Sequence, residues 1–182
     1  MQAEKPIAQK VVVYVVQNEQ LLVFRHVDFS YEEVGIQVPA GSIRAGESPR
    51  EAALRELKEE TGRDTYKIIA SLGTCRYDMT PYRFQIQQRH FFLVHPTKPL
   101  PARWMSEERH DELESPTRFE CFWIPLKQAH ILQSGQGAML YKIFDFDSAH
   151  SLVELEANEV TPEMKREAEE ARKLKSDDLI DI

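Results

Sequence analysis

Cysteine is nearly missing from this 182-residue chain: Cys75 and Cys121 are the only two. They have no metal-type spacing and cannot make a disulfide framework, so both read as reduced residues in apolar, strand-like runs. Histidine is sparse as well, and no pair stands at a zinc spacing. His26, His90 and His95 therefore read as residues at the edge of the core. No apolar run approaches the length of a membrane span. The first ten residues lack the apolar segment of a secretory signal, and the expectation is a cytoplasmic protein off the membrane. A basic excess is absent too: 23 Lys and Arg face 30 Asp and Glu, for a formal net charge of -7. Such a surface repels phosphate backbones, so general nucleic-acid affinity is not expected. A small phosphorylated ligand would also be repelled unless a metal bridged it. No internal repeat is visible. The composition, 42% apolar and 29% charged, suits one well-cored domain with an appendage.

Residues 10–17 and 20–26 are rich in β-branched and aliphatic side chains and flank Asn18-Glu19, which predicts a hairpin. Residues 35–38 predict a short strand. Residues 67–77 and 84–95 predict two more, joined by a turn around Pro81. The stretch 96–116 reads as a long polar loop, and loops of that length are commonly functional or mobile. Residues 119–124 predict a further strand and residues 138–146 a closing helix. Residues 161–175 look like a charged helix, solvated or making a homodimer contact, with 176–182 disordered. The expected organisation is a tail over 1–8, a domain over 9–155 and a charged helical extension over 156–182.

The informative stretch is 41–63, GSIRAGESPREAALRELKEETGR. Ser48, Pro49 and Glu51 suit the N-cap, N1 and N3 positions of a helix with a capping box. The residues that follow are good helix formers, and Gly62 is a natural stop. At about 100° per residue, Glu56, Glu59 and Glu60 share one broad face. Ala53, Leu54, Leu57 and Thr61 form the adjacent stripe predicted to pack on a sheet. Like charges so close destabilise a helix unless something compensates. A divalent cation does so, because carboxylates, a backbone carbonyl and waters make the hard-oxygen shell that Mg²⁺ or Mn²⁺ prefers. Arg55 compensates in a second way, since its guanidinium can grip a carboxylate and aim it. An ordinary charged surface helix would account for the glutamates. It would not account for Gly41, Glu47, Arg55 and Gly62 at set distances.

Written as G-x5-E-x7-R-E-L-x-E-E-x-G, the stretch resembles the Nudix box in all but its last position, where Arg63 replaces an aliphatic residue. The resemblance implies an α/β fold, an α/β/α sandwich with a mixed sheet in which the box forms a catalytic loop-helix-loop. It implies hydrolysis of the pyrophosphate in a small-molecule nucleoside diphosphate derivative, by attack of water on phosphorus with Mg²⁺ or Mn²⁺. It also implies that Glu56, Glu59 and Glu60 bind metal, that the Gly41 carbonyl adds a ligand, and that Glu47 and Arg55 brace them. The general base would be a box glutamate or one of Glu107, Glu108, Asp111, Glu112 and Glu114. Arg63 is expected to lay its stem on the sheet and expose its head.

Substrate choice is harder to read. Tyr31, Tyr82 and Trp104 are candidates to stack on a base. Arg25 and Arg89, in strand-like runs, are the leading phosphate-binding candidates, with Arg44, Arg83 and Arg103 behind them. Two other classes remain open: a nucleotide-sensing module without turnover, which would be expected to lose box glutamates, and a diphosphate isomerase, which would need a catalytic cysteine.

Overall fold

The computed structural model describes residues 4–109 and 115–144. Seven strands and one long helix make up the unit that ends at Tyr141; residues 142–144, in a second unit, lie in a short helical turn. The predicted helix over 138–146 is thus turns over 134–140 and helix over 141–144, with 145 and 146 outside the described residues. Residues 110–114 and the charged extension also lie outside them.

The first two strands, β1 (Ile7–Gln17) and β2 (Gln20–His26), form the predicted hairpin. Asn18 and Glu19 have φ of 50° and 57°, the left-handed pair of a two-residue turn that matches strand twist. β1 starts at Ile7, inside the stretch read as a tail. The predicted strand over 35–38 is instead a bridge, Phe24 to Gln37, and the chain becomes a strand only at β3 (Ala40–Ser42). Helix α1 (Pro49–Thr61) follows, then β4 (Tyr66–Asp78), β5 (Ile86–Pro96), β6 (Arg103–Glu108) and β7 (Thr117–Pro125). A 3-10 helix spans Leu126–Ile131. β6 lies inside the supposed long loop. Its six residues pair antiparallel with β7, whose backbone edge the sequence pattern did not reveal.

The strand order is β4-β5-β1-β2-β7-β6, with β3 beside β1. β1 and β5 run parallel and the other pairs antiparallel, so the sheet is mixed, as expected for the α/β class. β1 changes partner along its length: β2 at residues 16–17, β3 at residues 10–12. β2 peels away toward β7, and the cleft described below opens where it leaves. Val11, Val13 and Val15 meet Leu22, Phe24, Phe92 and the helix residues Ala52, Ala53 and Leu57 in the core between sheet and α1. Burying each larger side chain contributes about 1.5–3 kcal/mol. Among the described residues, no helix is long and apolar enough to cross a membrane.

Candidate active site

The helix start is as the sequence predicts. The Ser48 side chain accepts from the Glu51 backbone, Glu51 accepts in return from Ser48, Pro49 opens the helix, and Gly62 closes it with φ of 68°. The buried face differs from the predicted stripe in four residues. Ala53, Leu57 and Thr61 face inward, but Leu54 is exposed, and Ala52, Glu56 and Glu60 are buried in its stead. The helix is therefore rotated so that two of its glutamates lie under the sheet edge.

Gly41 explains why. A Cβ there would fall 1.9 Å from the Glu56 carboxyl carbon, so only glycine lets this carboxylate lie against β3. Glu60 reaches the same strand by accepting the Ala40 N–H at 2.9 Å.

Arg55 organises the rest. Its Nε and Nη2 grip Glu47 at 2.7 and 2.9 Å, its Nη1 donates to Glu56 and Glu59 at 2.7 Å each, and its Nη2 also donates to the Ser42 carbonyl at 2.7 Å. The bidentate partner is Glu47, eight residues back, which also accepts the Arg44 N–H at 2.9 Å. Glu51 is taken by the cap. Hydrogen bonding from Arg55 holds the Glu47 carboxyl down at about 2. Burial does the opposite to Glu56 and Glu60: Glu56 is raised, and Glu60, with the other glutamates nearby, is raised well above the ordinary value.

Glu56, Glu59 and Glu108 each offer an oxygen within 4.8 Å of the others. Glu108 comes from β6, across from the helix, and the supposed loop had hidden its position. Three carboxylates at that separation fit a divalent ion. Gly41 and Glu60 line the same cleft, of about 750 Å³.

The sequence matches the family model of the NUDIX domain over residues 6–143. The chain belongs to the Nudix family. An RNA pyrophosphohydrolase of a Nitratiruptor species is 48% identical over 67 residues, covering 32% of this chain and 42% of that protein. Another, of Erythrobacter litoralis, is 36% identical over 89 residues, covering 42% and 54%. The matched segments thus span about half the length of these relatives or less. In structure, a NUDIX hydrolase from Nitrosomonas europaea matches with a TM-score of 0.54 at 17% identity, covering 80% of this chain and 90% of that one. At that identity the likeness shows the fold.

The substrate-binding candidates divide: Arg44 and Arg83 line the cleft, whereas Arg25, Tyr31, Tyr82, Arg89, Arg103 and Trp104 do not. Arg25 pairs with Glu120 at 2.5 Å and lies over the Tyr31 ring, so both are engaged on the β2–β7 surface. Arg89 is buried, stacks on Tyr77 and donates to Gln87 and the Ser134 carbonyl. Tyr82 is 87% exposed at the β4–β5 turn. Trp104 is half-buried and donates to the Thr61 carbonyl at 2.8 Å, closing the end of α1. The cations that do line the cleft are Lys10, Arg44, Arg55 and Arg83. Lys10 was missed because a lysine at the head of an apolar strand looks like a solvated edge. His26 and Phe119 also line it. Neither cysteine does, and burial pushes the Cys121 thiol up to about 12.

Arg63, the Nudix box's one departure, is half-buried over the Trp104 ring, 5.1 Å from its centroid, and its buried Nε has no partner among the described residues. Its head is thus stacked where exposure was expected. Arg63→Leu should leave the urea midpoint unchanged or raise stability by up to about 1 kcal/mol, since it removes an unpaired donor. A loss of more than that amount would show that the stacking outweighs the lost hydrogen bond.

Proposed function

We propose that the protein hydrolyses a pyrophosphate bond in a nucleoside diphosphate derivative with Mg²⁺ or Mn²⁺. The observation that carries this reading is the convergence of Glu56, Glu59 and Glu108 in a cleft, braced by Arg55. When bound, the cation supplies Lewis-acid neutralisation of phosphoryl charge and acidifies water. The chain does the rest. Arg55 fixes Glu56 and Glu59 in place, and Glu47 fixes Arg55. Gly41 and Glu60 line the same cleft, where the Gly41 carbonyl and the Glu60 carboxylate would add ligands to the cation. A carboxylate of the set takes the proton from the attacking water, and a weak base suffices.

Two relatives named RNA pyrophosphohydrolase make RNA a substrate to test beside nucleotide sugars, dinucleoside polyphosphates and nucleoside triphosphates. The acidic net charge of -7 favours a small molecule. Phosphate release should be measured over this panel with each cation. Turnover of at least one class is expected; silence across the panel would leave nucleotide sensing as the better account.

A further inference from the structure

The charges of the cleft do not all cancel one another. Arg55 is spent on Glu47, Glu56 and Glu59, and Arg44 pairs with Glu59 at 3.0 Å. Lys10 and Arg83 are different. The Lys10 Nζ donates to the Ser42 hydroxyl at 2.5 Å. Among the described residues, neither cation pairs with a carboxylate, yet both line the cleft that holds Glu56, Glu59 and Glu108. Lys10 is half-buried on β1, whereas Arg83 projects from the exposed β4–β5 turn, held by its backbone N–H to the Met79 carbonyl. Burial keeps the Lys10 ammonium below its ordinary value, and the charges of Arg83 and Arg89 push the same way, against Glu56. Two cations that line one cleft, one half-buried and one exposed, are stabilised by an anion set against both.

We propose that Lys10 and Arg83 form an anion seat beside the carboxylate cluster, so that the group joined to the nucleoside diphosphate is itself phosphorylated. The preferred substrate class is then a polyphosphate chain of three or more phosphates. The carboxylate end takes the phosphates to be cleaved through the cation, and the Lys10–Arg83 end takes the remaining one directly. A nucleotide sugar offers a neutral hexose at that end and leaves both cations unmatched. The inference rests on the hydrolase reading above and narrows it.

The test is equilibrium binding in Mg²⁺, by calorimetry, of a nucleoside triphosphate with methylene bridges at both the α,β and β,γ positions and an α,β-methylene nucleotide hexose, neither of which has a cleavable anhydride. Wild type should hold the triphosphate analogue about tenfold or more tighter, the difference one charge-assisted contact supplies. Lys10→Met and Arg83→Met should each weaken the triphosphate analogue about tenfold and leave the hexose analogue nearly unchanged. Arg83→Met keeps the backbone bond of an exposed turn, so its result does not hinge on folding. Wild-type affinity in both variants, or equal weakening toward both analogues, would overturn the seat while leaving the hydrolase reading intact. Failure of the wild type to bind either analogue would overturn both.

Discussion

Glu56→Gln should lower turnover on the order of a thousandfold, because losing a cation ligand forfeits several kcal/mol of charge stabilisation in the transition state. The amide keeps the volume of the carboxylate against Gly41, where there is no space to spare. The loss should therefore fall on kcat with the fold intact. The same variant has a readout independent of turnover. Burial raises the Glu56 and Glu60 carboxyls in the folded chain. Folding then takes up protons, so without cation the native state loses stability as pH rises from the ordinary carboxylate range through these raised values. Mg²⁺ opposes that loss, and a concentration a hundredfold above Kd adds about 2.7 kcal/mol. Wild-type Tm should accordingly climb with Mg²⁺ more steeply at neutral pH than near pH 5. The rise should shrink in Glu56→Gln. Equal Mg²⁺-dependent shifts in the two proteins would remove Glu56 from the ligand set.

Arg55→Lys is expected to cost about 1.5–3 kcal/mol of stability, the range for losing charge-assisted hydrogen bonds while the charge is kept. The Arg55 side chain is only 17% exposed and Glu47 14%, so solvent offers little relief to the carboxylates left behind. Lysine keeps the charge but cannot span Glu47, Glu56, Glu59 and the Ser42 carbonyl together, because it lacks the planar fork. Urea midpoints would measure the loss, and activity should fall a further ten- to hundredfold as the ligands lose their brace. The pH dependence gives a second signature. Arg55 depresses Glu47 in the folded state to about 2. That contribution is present above the unfolded carboxylate value and is lost as pH falls through about 2. The acid limb of the Arg55→Lys stability curve should therefore be flatter than that of wild type. A variant with the wild-type midpoint and acid limb would show that the network is held by something other than the guanidinium.

These two residues also mark how far the sequence could be read. The box disclosed its own helix, caps and carboxylate face, because capping, periodicity and charge repulsion act over a few residues. Ser48, Pro49, Glu51 and Gly62 stand where local rules put them. The hairpin around Asn18-Glu19 was legible for the same reason. Long-range placement was not. β6 was taken for loop because its six residues, RWMSEE, lack clean alternation and become a strand only by pairing with β7. Glu108 thereby arrives opposite Glu56, 52 positions earlier in the chain, a meeting that no spacing in the sequence encodes.

The leading phosphate-binding candidates, Arg25 and Arg89, lie outside the cleft for a related reason, while Arg44 and Arg83 line it. Arg25 and Arg89 have the right chemistry, but side-chain direction depends on which neighbour satisfies it. Glu120 holds the first, and Tyr77 with Ser134 holds the second. The sequence by itself determined the family, the helix with its caps, and the carboxylates that crowd one face, since each is written in residues close together. Only the tertiary structure decided that Gly41 makes room for Glu56, that Glu108 joins the set, and that Lys10 and Arg83, of the Lys and Arg residues lining the cleft, form no salt bridge among the described residues. Those three facts depend on where the sheet brings distant strands together, and that is set by packing over the whole domain.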